Sequence, residues 1–148
     1  MKPNIFSLAT SELSQDAFFT WLLQWGDNSC LKINKELNAV AQSFIKIIVG
    51  EEIKIKTVKA GRQWKNIDIW AEINDDIFIV IEDKTNTSDH SKQLERYKII
   101  ASKHYDNKRS KLYFVYLKTG NESLGNTDRI ENAGYKLIKR KELLDIFH

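Results

Sequence analysis

Two carboxylates and a lysine are spaced so that a β-hairpin could bring them together. Asp68 interrupts a strand pattern of alternating apolar residues, and Glu82 and Lys84 follow the apolar run Ile77–Ile81. A turn at 74–76 would place Asp68 opposite Glu82, with the two Cβ atoms about 5 Å apart. Lys84 lies two residues beyond Glu82 and therefore on the same strand face. The spacing predicts two acids and one cation at the end of a sheet.

This combination of residue types suits a metal ion beside a phosphate. Two adjacent carboxylates repel each other unless a proton or a cation lies between them. Mg²⁺ takes one or two carboxylates, keeps several water molecules and leaves room for a phosphate oxygen. The backbone carbonyl of Asp83 is a further candidate ligand. A lysine beside such a metal can orient an attacking water or neutralise charge in the transition state.

A second interpretation of these residues stays open. Strand ends often carry Glu-x-Lys as a solvated pair, and Asp68 would then mark an exposed face of the sheet. The prediction also depends on the hairpin register, because a slip of one residue moves Asp68 to the other face.

Helices before and after the hairpin must hold it in place. Apolar residues at helical spacing predict helices at 11–25, 35–49, 89–105 and 141–147, with one helical turn at 128–132. The second helix has strong boundary signals, since Asn34 can cap it and Gly50 can end it.

The remaining periodic segments alternate as strands do. A strand is predicted at 53–56, and Gly61 is expected to break the pattern after it. Further strands are predicted at 66–73, 77–81, 112–117 and 135–138. The run 77–81 suits a central strand buried on both faces. The order ααβββαββα predicts an α/β (α+β) architecture, a mixed central sheet flanked by helices, in one domain over 1–148.

Composition excludes several classes of protein. The 148 residues contain one cysteine, Cys30, and three histidines without metal-ligand spacing, so neither a disulfide framework nor a Cys/His metal cluster is expected. There is no glycine-rich phosphate loop. No apolar run approaches the length of a membrane helix, and the first residues lack a secretory signal pattern, so a cytoplasmic location is expected.

The net charge of +3 hides a local bias. Five basic residues lie between Ile53 and Asn66 without one acid: Lys54, Lys56, Lys59, Arg62 and Lys65. One interpretation is a nucleic-acid-binding strand and loop that leads into the hairpin, formed by Lys56, Lys59, Arg62, Trp64 and Lys65, with Trp64 stacking on a base. The other is an edge strand that its lysines protect from aggregation. Both stay open.

A motif on the next helix completes a family pattern. Gln93 and Tyr97 lie four residues apart and share a helix face. Together with Asp68 and the Glu82-Asp83-Lys84 run, they resemble the PD-(D/E)XK nuclease superfamily, whose fold is restriction-endonuclease-like and some branches of which carry a QxxxY motif. The N-terminal ELSQDAFFTWLLQW is similar to the opening helix of an uncharacterised bacterial branch. The resemblance runs from about Asn4 to Phe147 and departs at Ile67, where the superfamily motif has proline.

The resemblance implies a role for each matched residue. It implies that Asp68 and Glu82 bind Mg²⁺ with help from the Asp83 carbonyl, that Mn²⁺ substitutes, and that Lys84 positions or activates water. Glu12 matches an accessory acid that completes a second metal site or orients the lysine.

The same resemblance implies that Gln93 and Tyr97 support the site or the scissile phosphate. The function it implies is a Mg²⁺-dependent nuclease of nucleic acid, acting on DNA in preference to RNA, in a bacterial or phage cytoplasm and without a membrane.

Two other functions stay open. One is a catalytically inactive module of the same fold that serves binding or assembly, since the short chain leaves little room for a target-recognition domain. The other is an RNA-directed nuclease, which shares the site. The chain could act as a homodimer or as a subunit beside a partner.

Overall fold

The computed structural model describes residues 11–65, 67–84, 91–105, 111–118, 130–132 and 134–146. The elements are α1 (Ser11–Gln24), a 3₁₀ turn (Asn28–Cys30), α2 (Lys35–Val49), β1 (Val58–Trp64), β2 (Ile67–Ile73), β3 (Ile77–Lys84), α3 (Ser91–Tyr105), β4 (Lys111–Lys118), β5 (Lys136–Lys139) and α4 (Arg140–Ile146). The predicted order of helices and strands is confirmed, and residues 130–132 are helical as expected. None of the helices within these ranges is long and apolar enough to cross a membrane.

The strands form one mixed sheet in the order β1-β2-β3-β4-β5. β1, β2 and β3 pair antiparallel, whereas β3, β4 and β5 pair parallel. Parallel neighbours need a crossover connection, and α3 lies between β3 and β4 in the chain. β3 is therefore the central strand, and residues 77–83 are all buried, as predicted.

Helices cover both faces of this sheet. On one face, α1, α2 and α4 bury a large core against the strands, with members such as Leu22, Phe44 and Ile79. On the other face, α3 packs Tyr97 and Ala101 against Phe78 of β3. These two layers define an α1/α2 face and an α3 face, and they fix which way each strand residue points.

The hairpin between β2 and β3 has the predicted register. Its pairs run from Ile73–Ile77 at the turn to Ile69–Ile81 near the open end. The turn requires left-handed backbone at Asn74 (φ 55°) and Asp75 (φ 62°), which Asn and Asp tolerate better than other side chains. The turn therefore sets the register of the ladder as far as Ile69–Ile81, the pair next to Asp68.

The predicted strand at 53–56 is wrong. β1 instead spans Val58–Trp64 and runs through Gly61, which was expected to break the pattern. Gly61 lies against the indole of Trp70, and a Cβ on it would come within 2.8 Å of the ring. The glycine thus makes room for a neighbouring side chain, and the strand continues.

Residues 54–57 are held by the hairpin turn instead. Asn74 Oδ1 accepts hydrogen bonds from the backbone N–H groups of Lys56 (2.7 Å) and Thr57 (3.2 Å), and Asn74 Nδ2 donates to the carbonyl of Lys54 (2.7 Å). A side chain therefore satisfies backbone groups that the prediction assigned to a strand ladder.

Candidate active site

Asp68 is tied to the end of β3 by a hydrogen bond. The ladder between β2 and β3 reaches Ile69–Ile81, and Asp68 is the next residue toward the open end. There the backbone N–H of Asp83 donates to Asp68 Oδ2 over 3.3 Å. The half-buried carboxylate of Asp68 is thus held where β2 begins and β3 ends.

Glu82 and Asp83 are both buried but face opposite ways. Glu82 is 1% exposed and Asp83 is 2% exposed. Ile79 and Ile81 belong to the core on the α1/α2 face, and alternation along the strand places Asp83 on that face too. Glu82 lies on the α3 face with Phe78 and Val80. Only Glu82 therefore presents its carboxylate toward α3, while Asp83 contributes its backbone to the site.

One tyrosine, Tyr135, lies within electrostatic range of Glu82, and a second, Tyr97, lies within range of Tyr135. Burial raises the pKa of the Tyr135 hydroxyl well above its ordinary value of 10.0, and the negative charge of Glu82 and the neighbouring Tyr97 raise it further. The Tyr135 ring lies 5.5 Å from that of Phe114, centroid to centroid. Tyr97 is itself fully buried and packs with Phe78 and Val80, on the face of the sheet that carries Glu82. A protonated hydroxyl at Tyr135 can donate a hydrogen bond but cannot act as a base.

Sequence reasoning did not single out Tyr135 or the buried Asp16. Tyr135 immediately precedes the short strand β5, and only the parallel pairing of β5 with β4 places it near β3. Asp16 lies on the buried side of α1, four residues after Glu12. Asp16 lies three residues before Phe19 and seven before Leu23. This helical spacing indicates that Asp16 belongs to the buried stripe of α1.

Three predicted site residues have their backbone in the described elements but their side chains outside the described part. Lys84 is the last residue of β3, Glu12 lies in the first turn of α1, and Gln93 lies in the first turn of α3. Their predicted roles stay predictions.

The basic segment reaches the site at one end only. β1 is an edge strand, and Trp64 pairs with Ile67, the residue before Asp68. Left-handed backbone at Gln63 (φ 56°) accompanies a change of face, since Trp64 packs against Phe78 with ring centroids 5.8 Å apart. Lys65 Nζ lies 5.3 Å from the Trp64 centroid, so a base stacking on that face of the indole would displace the ammonium.

The other basic residues lie at increasing distance from Asp68. Arg62 pairs with Ile69, whereas Lys59 pairs with Glu72, four residues from Asp68 or about 13 Å along the strand. Lys56 precedes β1 altogether. Arg62, Trp64 and Lys65 therefore lie at the end of β1 that is level with Asp68, and Lys56 and Lys59 do not.

Comparison with known proteins identifies the family. The family model of the PD-(D/E)XK nuclease superfamily matches residues 3–147. The chain belongs to the PD-(D/E)XK nuclease superfamily. A search of curated proteins finds no match. The mixed five-stranded sheet flanked by helices is consistent with the restriction-endonuclease-like fold of that superfamily.

Superfamily membership makes a divalent metal the group to test against these residues, since PD-(D/E)XK nucleases typically use one. Within the described ranges, no group of three or more His, Cys, Asp or Glu side chains could hold a metal ion. Two carboxylates at the open end of the hairpin fit Mg²⁺, which needs only one or two and fills its other positions with water and phosphate.

Proposed function

We propose that this chain is a Mg²⁺-dependent nuclease that hydrolyses phosphodiester bonds, with DNA preferred over RNA. The observation that carries the proposal is that the β2–β3 ladder runs as far as Ile69–Ile81 and that Asp68, the next residue, accepts a hydrogen bond from the N–H of Asp83, the residue after Glu82. Membership of the PD-(D/E)XK nuclease superfamily supports the reaction class.

The proposed metal ligands are the carboxylates of Asp68 and Glu82 and the carbonyl of Asp83. When bound, Mg²⁺ or Mn²⁺ would supply a positive charge that polarises the phosphate and lowers the pKa of bound water. The hydrogen bond from Asp83 keeps the Asp68 carboxylate oriented, so less ordering is needed when the site is filled.

The remaining predicted residues act around this pair. Lys84 positions the attacking water, and Glu12 is the accessory acid at the start of α1. Gln93 and Tyr97 support the site from α3. Arg62, Trp64 and Lys65 contact the nucleic-acid backbone on the β1 side, and Lys56 and Lys59 extend that contact away from the cut bond. A cytoplasmic location and action as a homodimer or with a partner subunit stay part of the proposal.

One observation favours the second candidate, an inactive binding or assembly module. Glu82 is 1% exposed, so little of its surface is open to a ligand. In that case the carboxylates would serve the packing of the sheet end rather than hydrolysis.

A cleavage panel separates the two candidates. Single- and double-stranded DNA and RNA are incubated with the protein in Mg²⁺, in Mn²⁺ and in EDTA. The nuclease proposal predicts metal-dependent cleavage that Glu82→Gln, Asp68→Asn or Lys84→Met each lowers about 100-fold or more. Lys111→Met, at the far end of β4, is the control and cleaves as wild type. An inactive module cleaves nothing in the panel.

A further inference from the structure

The first helix lies along the edge strand β1 and runs antiparallel to it. Gln24 Nε2, at the end of α1, donates a hydrogen bond to the carbonyl of Ala60 over 3.0 Å. Three residues later in the chain, Asp27 Oδ2 accepts a hydrogen bond from the N–H of Val58 over 2.9 Å. Residue numbers therefore rise along α1 as they fall along β1. The α1 residues before Gln24 lie level with the β1 residues after Ala60.

Two exposed side chains lie at the same level of this pair of elements. Trp21 precedes Gln24 by three residues, about 4.5 Å along the helix. Arg62 follows Ala60 by two residues, about 6.6 Å along the strand. Arg62 pairs with Ile69, which belongs to the core on the α1/α2 face, so Arg62 lies on the side of the sheet that α1 covers. Trp21 is 41% exposed, and Arg62 is exposed as well.

The surface between Trp21 and Arg62 carries no described acid that could repel a phosphate. Asp16 is the one carboxylate among the α1 side chains that the structure describes, and it is buried. Within the same described residues, no carboxylate forms an ion pair with Arg62. The basic segment 53–66 continues this surface along β1, with five basic residues and no acid. The flank between α1 and β1 is therefore suited to a polyanion.

Trp21 offers a base more open indole surface than Trp64 does. Trp64, the residue predicted from the sequence to stack on a base, is half-buried, and Lys65 Nζ lies 5.3 Å from its ring centroid. The aromatic neighbours of Trp21 are Phe18 and Trp25, with centroids 5.9 and 6.1 Å away. Both lie on α1 itself, so the outward part of the Trp21 indole stays open.

We propose that Trp21 and Arg62 bind one nucleotide of a single-stranded nucleic acid, with its base on the Trp21 indole and its phosphate on the Arg62 guanidinium. Proteins that bind single strands combine a basic groove with aromatic side chains on which bases stack. A base in a duplex would first have to leave its own stack, which costs energy. Arg62 pairs with Ile69, the residue after Asp68, so the bound strand leads toward the proposed metal site. The inference rests on the proposed nuclease function and names a single strand as its substrate.

The test measures binding without cleavage. A fluorescent oligothymidine is titrated with the whole chain in EDTA at several salt concentrations, beside its duplex with oligodeoxyadenosine. Trp21→Leu keeps an apolar side chain and removes the ring, Trp21→Phe keeps a ring, and Arg62→Met removes the charge. The controls are Leu144→Ala, at an exposed apolar residue of α4, and Lys111→Met, at an exposed cation that begins β4. Melting of each variant is followed in parallel.

The two residues should affect binding in different ways. Trp21→Leu is expected to raise the dissociation constant for the single strand about tenfold and to leave the slope of log K against log salt unchanged, since stacking releases no counterion. Arg62→Met is expected to raise it about tenfold as well and to make that slope shallower by about 0.7. Neither Trp21→Leu nor Trp21→Phe changes the affinity for the duplex.

Tryptophan fluorescence gives a second measurement at the same site. Unlabelled oligothymidine is expected to quench the fluorescence of wild type, because a base stacks on the exposed indole. Trp21→Phe should lose most of this quenching and still bind the single strand within about threefold of wild type, since a phenyl ring also stacks.

The inference is overturned if Trp21→Leu matches Leu144→Ala in affinity for the single strand, if it weakens duplex binding equally, or if Arg62→Met keeps the salt slope of Lys111→Met. Failure of wild type to bind the single strand also overturns it. Should Trp21→Leu not fold, quenching that persists in Trp21→Phe overturns it. Trp21-dependent binding without cleavage in Mg²⁺ would leave the inference standing and refute the nuclease function. Cleavage of single strands with wild-type affinity in Trp21→Leu would do the reverse.

Discussion

The backbone N–H of Asp83 donates a hydrogen bond to Oδ2 of Asp68, 3.3 Å away, where the β2–β3 ladder ends. The contact fixes one carboxylate to the strand that carries the other, Glu82. It also gives the half-buried Asp68 carboxylate a hydrogen-bond donor near the start of β2. The arrangement makes the sheet end, rather than any loop, the rigid part of the proposed site.

The raised pKa of Tyr135 predicts a loss of stability in alkali. The folded protein keeps this hydroxyl protonated above pH 10, where the unfolded chain loses the proton. The unfolded state then binds fewer protons, so the free energy of unfolding falls by about 1.4 kcal/mol per pH unit above pH 10. Tyr135→Phe removes this contribution. Urea unfolding at pH 9.0, 10.5 and 11.0 should show a shallower decline for Tyr135→Phe than for wild type, and parallel declines would contradict the assignment.

Asn74 links the hairpin turn to the segment before β1. Asn74→Gly keeps the left-handed backbone and loses three side-chain hydrogen bonds, whereas Asn74→Ala also adds backbone strain. We expect losses of about 2 kcal/mol for glycine and about 3 kcal/mol for alanine in the free energy of unfolding. Denaturant titration measures both. Equal stability of alanine and wild type would show that these contacts contribute nothing.

Gly61 and Trp70 form a steric pair across β1 and β2. A Cβ at Gly61 would lie 2.8 Å from the indole, so Gly61→Ala should cost about 1–3 kcal/mol. The clash depends on the ring, and Gly61→Ala in a Trp70→Leu background should therefore cost less. A double-mutant cycle measures the coupling energy. Additive costs would refute the steric explanation.

Asp27 links the loop after α1 to the start of β1. Its lowered pKa predicts that the folded protein loses stability in acid. Burial raises the pKa of this carboxyl, but hydrogen bonds from Val58 N–H and from Ser29 outweigh it, and the net pKa lies below 3.8. Its contribution is therefore present above about pH 4 and is lost as the pH falls through the lowered pKa. Asp27→Asn should be less stable than wild type by about 1 kcal/mol at pH 7, and the difference should shrink as the pH falls below about 4. A difference that does not change with pH would contradict this.

The sequence was sufficient to predict an element where the local residue pattern and the backbone geometry agree. The hairpin register followed from a short turn between two apolar strands, and Asn34 and Gly50 bound α2 as predicted, with Gly50 at φ 78°. The prediction of a strand at 53–56 failed. Apolar and basic residues do alternate there, but the backbone hydrogen-bonds to the Asn74 side chain. A single sequence does not show which backbone groups a distant side chain will satisfy.

The parts of the site that were missed depend on strand order. Tyr135 comes near Glu82 only because β4 pairs with both β3 and β5, and no spacing along the chain encodes that neighbourhood. The predicted strand ended at Leu117, one residue before Lys118, which lies in β4 and is buried. Its burial is a tertiary property.

The central claim is that Asp68 and Glu82 together hold a divalent metal ion. Isothermal titration of wild type with Mn²⁺ tests it directly, with Asp68→Asn and Glu82→Gln as site variants. Asp75→Asn, an exposed carboxylate at the other end of the same hairpin, is the control. We predict saturable binding in wild type and Asp75→Asn and none in either site variant, with all four proteins folded. Binding that survives both site variants, or no binding by wild type, would contradict the account.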